Sequence, residues 1–136
     1  MSSLYREEIL AHARHPQHRG TLEPADIIAS LTNTTCGDEI TIYIKTKSPS
    51  TNEQIIDEVR FEGEGCIISQ AAADLFSEYI TGKTLKNVST MTIEGMLSLF
   101  NASITESRKP CALLAYEALK RKTQRVEYNN QQESSQ

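Results

Sequence analysis

The sequence predicts an α+β fold: a small antiparallel three-stranded sheet with helices packed on one face. One stretch alternates with period two, placing Ile40, Ile42 and Ile44 on one side and Thr41, Tyr43 and Lys45 on the other, the pattern of a half-buried strand. A later stretch switches to helical period, and Ile67, Ile68, Ala71, Ala72, Leu75, Phe76, Tyr79 and Ile80 form a broad stripe that ends at Gly82. The strands come as a run before the main helices, which is the order of an α+β sandwich.

The elements follow in order. Ser3 is placed to cap a first helix carrying Leu4, Ile9, Leu10 and Ala13, with Glu7 and Glu8 near its positive end, and His15-Pro16 stops it. Residues Gly20 to Asp26 read as loop and Ile27 to Thr32 as a short strand. The second strand runs from Glu39 to Lys47. A turn over Ser48 to Asn52, containing Pro49, leads to a third strand with Ile55, Val59 and Phe61 on one face. After the long helix, Thr92 caps a shorter one reaching Phe100. Pro110 suits the first turn of a last helix, which ends near Arg125 with Lys120, Arg121, Lys122 and Arg125 at its negative end. Residues 1–126 make a single domain, and the polar residues 127–136 have almost nothing to bury, so disorder is expected there.

Composition narrows the function classes. A chain of 136 residues, 38% hydrophobic and 24% charged, suffices for one core. A net charge of −4 disfavours nucleic acid, whose phosphates call for a clustered positive field. No run approaches the roughly 20 apolar residues of a membrane span. The start, MSSLYREEIL, lacks the basic region and apolar core of a signal peptide, so a cytoplasmic protein with no membrane partner is expected.

The three cysteines carry the chemistry. Cys36, Cys66 and Cys111 are odd in number and 30 and 45 positions apart, which does not make a disulfide framework. Cys36 lies in TTCGDE between two strands, where Gly37 permits a tight turn and Asp38 offers a carboxylate. Cys66 lies in EGEGCIIS where glycine loop becomes helix, and Cys111 follows Pro110 at another helix start. Unpaired N–H groups and the helix dipole at such starts favour the reactive thiolate. Any one of the three could be packing, since free cysteine is often buried, but a packing cysteine belongs in mid-element on an apolar face. Together they read as a metal or sulfur site, and without a CxxC pair the fold must gather the ligands. Three thiolates and a carboxylate form a four-ligand set for zinc or for cluster irons. An oxygen donor among thiolates holds soft metal less firmly, which suits cargo that is given away.

Other candidates are weaker. His12, His15 and His18 are interrupted by Pro16 and have no adjacent acidic or thiol residue, so they read as surface histidines at a helix end. Gly63-Glu64-Gly65 lacks the spacing of a phosphate-binding loop. Ser69 and Ser77 have no histidine base in local register.

With LYREEILAHARHPQHRG, TTCGDEI, FEGEGCIISQAAA and RKPCALLAYEAL in view, the chain over residues 3 to 122 resembles the U-type iron-sulfur cluster assembly proteins, the family of IscU, SufU and the N-terminal domain of NifU. The resemblance implies that Cys36, Asp38, Cys66 and Cys111 bind metal and sulfur, with Cys111 and Cys66 as persulfide acceptors. It implies a cysteine desulfurase as sulfur donor and apo iron-sulfur proteins or carriers as recipients. A transient [2Fe-2S] cluster would be assembled, with zinc bound in its absence. Such a protein is more a scaffold than a classical enzyme; the alternative it implies is a zinc-dependent sulfurtransferase, and a purely structural zinc domain is the weakest reading. IscU-type members carry a histidine before the third cysteine, where this chain has Pro110. They carry a Leu-Pro-Pro-Val-Lys chaperone-docking stretch where this chain has TESRK, so an Hsp70-type chaperone is not implied. SufU-type members share an arginine at the position of Arg108, which would stabilise a thiolate or pair with Asp38, yet they usually carry an insertion of some twenty residues that this chain lacks.

Overall fold

A computed structural model describes residues 3–34, 37–48, 54–101 and 103–134, with side chains between 7 and 123. The chain runs α1 (Ser3–Arg14), β1 (Ile27–Asn33), β2 (Asp38–Lys47), β3 (Ile55–Glu64), α2 (Ile67–Ile80), α3 (Leu85–Ser89), α4 (Ile93–Ser98), a 3₁₀ turn (Glu106–Arg108) and α5 (Lys109–Ser134). The strands form one antiparallel meander in the order β1-β2-β3. Ile42 stands opposite Ala29 on one side and Phe61 on the other.

Alternation in β2 decides what the sheet covers. Asp38, Ile40, Ile42 and Ile44 are all buried on the face that α2 and α5 cover. Ala71, Ala72, Phe76 and Ile80 of α2 and Ala112, Ala115 and Leu119 of α5 complete the core. Phe76 meets Tyr116 edge to face at 6.2 Å between centroids, locking α2 against α5. The opposite sheet face is polar, with Ser30 hydrogen-bonded to Thr41 and Tyr43 donating to Glu62. The three-stranded sheet with helices is therefore as the sequence predicts.

Several details differ from the sequence reading. Ile56, not Ile55, takes the core position in β3, because a bulge between Lys45 and Thr46 shifts the register. The buried face of α2 is turned from the apolar stripe: Ile67 is 51% exposed and Tyr79 41%, while Ala73, Asp74 and Ser77 face inward. Small and polar side chains sit inward there because α1, β3 and α5 all crowd that helix. A five-residue helix, α3, capped by Thr84, appears where no element is expected; it is too short to show a period. Thr92 caps α4 as predicted, its hydroxyl accepting from Gly95 N–H. Ser3 is counted within α1 rather than before it. The backbone of α5 continues past Arg125 to Ser134, since no glycine or proline interrupts RKTQRVEYNNQQES.

Candidate metal and sulfur site

Asp38, Cys66 and Cys111 come from three different elements and meet at one end of the sheet. Asp38 opens β2, and the strand's alternation points its carboxylate inward beside Ile40, where it is 3% exposed. Cys66 is the residue preceding α2, in extended conformation. Cys111 lies in the first turn of α5 and is 1% exposed. One donor atom from each lies within 4.8 Å of the others.

Glycine makes this approach feasible. A Cβ on Gly63 would lie 2.0 Å from the Glu39 carbonyl oxygen, and its φ of +136° is unfavourable for other residues. A Cβ on Gly65 would lie 2.3 Å from Ser69 Oγ and 3.0 Å from Asp38 Oδ1. Gly63-Glu64-Gly65 thus lets β3 end and α2 begin against the carboxylate. Cys66 N–H donates to Asp38 Oδ1 at 3.1 Å, and Cys66 Sγ lies 3.8 Å from Oδ2. The carboxylate satisfies an N–H at the start of α2, where the helix dipole favours negative charge. Ser69 Oγ donates to the Cys66 carbonyl at 2.9 Å, and the Gln70 amide and Arg19 guanidinium both donate to the Gly63 carbonyl, at 3.2 and 3.3 Å.

The donor set fits a metal ion. Around a zinc with bonds near 2.3 Å, tetrahedral ligand atoms stand about 3.8 Å apart, so three donors within 4.8 Å need only a small contraction. Cys36 lies outside the described residues. Arg108 is exposed and lines a groove of about 590 Å³ shared with Ile9, Leu10, Cys66, Ile67 and Ile104; among the described residues it makes no ion pair, with Asp38 or any other group.

Residues 4–134 match the family model described as the NifU-like N terminal domain. The chain belongs to this family. An iron-sulfur cluster assembly scaffold protein IscU from Thermotoga maritima is 37% identical to this NifU-like domain over 91 residues, 67% of this chain and 61% of that protein, so the match spans less than two thirds of that relative. The zinc-dependent sulfurtransferase SufU of Bacillus subtilis is 28% identical over 147 residues, covering 96% of each chain. The crystal structure of a protein described as an iron-sulfur cluster assembly scaffold for the SUF system of Fervidobacterium islandicum AW-1 superposes with a TM-score of 0.67 at 28% identity, covering 88% of this chain and 97% of that one.

Two of the three histidines of the NifU-like domain, His12 and His18, are placed by a residue that sequence reasoning missed. Asp74, in mid-α2, accepts from His12 Nδ1 at 2.7 Å and from His18 N–H at 3.0 Å. The expectation of histidines without an acidic partner is therefore wrong for His12, since a partner 62 positions away in sequence leaves no local trace. The available signal was two polar residues, Gln70 and Asp74, set four apart on one face of α2. Among the described residues no helix is long and apolar enough to cross a membrane.

Proposed function

We propose that this NifU-like domain, residues 1–126, is a cytoplasmic iron-sulfur cluster assembly scaffold that accepts persulfide sulfur from a cysteine desulfurase. It builds a transient [2Fe-2S] cluster on Cys36, Asp38, Cys66 and Cys111 and passes it to apo iron-sulfur proteins or carriers. The observation that carries the reading is the convergence of Asp38, Cys66 and Cys111 from three elements, with Cys66 also lining a groove. A structural zinc domain has no use for a carboxylate in that set or for an accessible thiol.

In the sulfur step, a Cys66 or Cys111 thiolate attacks the outer sulfur of the donor persulfide. A new S–S bond forms as the old one breaks, the desulfurase leaves as a thiolate, and no net oxidation occurs. Cys66 opens on the groove, while Cys111 has to become accessible before it can react. Arg108, on the rim and without an ion pair among the described residues, offers its charge to the incoming anionic sulfur.

A second reading is a zinc-dependent sulfurtransferase that relays sulfur without building a cluster, and the end-to-end similarity to the Bacillus subtilis protein favours it. Zinc would be held by the same four residues and would keep their thiols deprotonated. TESRK and Pro110 lend no support to chaperone-assisted handover.

Anaerobic mixing with a cysteine desulfurase, cysteine and ferrous iron separates the two. A scaffold develops a stable visible charge-transfer spectrum. A protein that keeps one zinc, shows no chromophore and speeds desulfurase turnover several-fold is the sulfurtransferase, and the scaffold reading then fails.

A further inference from the structure

Asp74 plays no part in the thiol site, yet its environment is unusual. It is completely buried in the middle of α2, where a leucine would serve packing and a lone carboxylate is costly. Both donors to it come from one stretch of chain: His12 on α1 and the backbone N–H of His18 just after it. His18 continues the connection, its Nδ1 lying 3.2 Å from the Val59 carbonyl oxygen and its own carbonyl accepting from Phe61 N–H at 2.9 Å. The carboxylate thus ties α1 and its following segment to α2 and β3.

Helix α1 packs along α2, with Ile9 in the core and Ala13 against it. Among its described side chains only Ile9 is buried; Leu10 and Ala13 are half-exposed. Ile9 and Leu10, less than one turn before His12, line the groove with Ile67, Ile68 and Cys66. The position of that wall therefore depends on a buried polar contact as well as on apolar burial. We propose that His12, through its hydrogen bond to Asp74, is a positioning residue that holds α1 as the wall of the groove and so limits access to the Cys66 thiol. The consequence for sulfur uptake rests on the reading of Cys66 as an acceptor; the control of access does not.

The test is the rate at which iodoacetamide alkylates Cys66 in the reduced, metal-free protein, read by peptide mass spectrometry, with Cys111 of the same chain as internal control. His12→Ala is expected to raise the Cys66 rate about fivefold, the effect of a modest loss of local stability, with Cys111 unchanged. Amide exchange should quicken in α1 and not in α2. His12→Gln, which keeps a donor, restores the wild-type rate, and Asp74→Asn, which keeps shape but loses the charge, gives a smaller increase. In persulfide transfer His12→Ala should change KM for the desulfurase and leave kcat. An unchanged Cys66 rate, a parallel rise at Cys66 and Cys111, or failure of His12→Gln to restore it overturns the proposal. A wild-type protein that takes up no sulfur from a desulfurase overturns the proposed function and leaves the alkylation result standing.

Discussion

At the residue scale, Asp38 has two tasks that different substitutions separate. Its carboxylate is a donor of the candidate site and also the acceptor for Cys66 N–H. Asp38→Ala removes both, orphaning an N–H at a cost of about 1 kcal/mol, whereas Asp38→Asn keeps an acceptor and should stay near wild-type stability in urea titrations. Both should weaken zinc binding by at least about tenfold, the lower bound seen even for groups behind the ligands, measured by competition with a chromogenic chelator. A cluster should behave oppositely: cluster irons are ordinarily held by thiolates, and a carboxylate in their place gives water and acceptors an exchangeable position, so Asp38→Ala should slow decay of the visible spectrum. Decay as fast as wild type would remove the account of lability. Tyr43 gives a second residue-scale test. Its hydrogen bond to Glu62, together with the negative charge of that carboxylate, holds the phenol above its usual range. The folded state then retains a proton that the unfolded chain loses near pH 10, so this contribution is full below pH 10 and fades as pH rises through the folded value. Glu62→Gln should flatten the loss of denaturation midpoint between pH 9 and pH 11; an unchanged slope would show that Tyr43 is not its source.

At the element scale, the junction of β3 and α2 is the feature on which the site depends. Gly63 pairs with Ile40 in the ladder, so a side chain there would drive into the backbone of β2 while also straining φ. Gly63→Ala should cost about 3 kcal/mol or more in thermal or urea unfolding, well beyond an ordinary exposed strand glycine; a change under about 1 kcal/mol would mean the strands separate there freely. What was legible in the sequence follows the same logic. Ile40, Ile42 and Ile44 declare β2 by period alone, and Thr92 declares α4 by cap chemistry. The bulge at Lys45/Thr46 was not legible, because Ile55 and Ile56 are equally apolar and only pairing with β2 selects the second. The outward turn of Ile67 was hidden for a similar reason: helical period defines a stripe, but its neighbours choose which edge of the stripe is covered. For the site, the sequence placed Cys66 and Cys111 at helix starts, where the structure has them, while the contacts of Ser69, Gln70 and Asp74 depend on the fold.

At the scale of the whole molecule, a metal held at the site would act as a cross-link that the bare chain lacks. Asp38 belongs to the sheet, Cys66 to α2 and Cys111 to α5, so a metal bridging them joins both layers of the sandwich at one end, while Phe76 and Tyr116 join the two helices further along. The unfolded chain cannot gather donors spaced this far apart in sequence, so binding energy becomes folding energy. With free zinc at about 100 times Kd the gain is about 2.7 kcal/mol, which for a chain of this length raises Tm by roughly 10 °C. Cys66→Ser should lose most of that rise without lowering the metal-free Tm by a comparable amount, since Cys66 is half-exposed at a helix start. Cys111→Ser should also lose it but start lower, because that side chain is packed in the core. Chelation by EDTA should return the wild type to its metal-free value. A full zinc-induced rise that persists in Asp38→Ala, Cys66→Ser and Cys111→Ser alike would place the metal elsewhere and dissolve the link between fold and site.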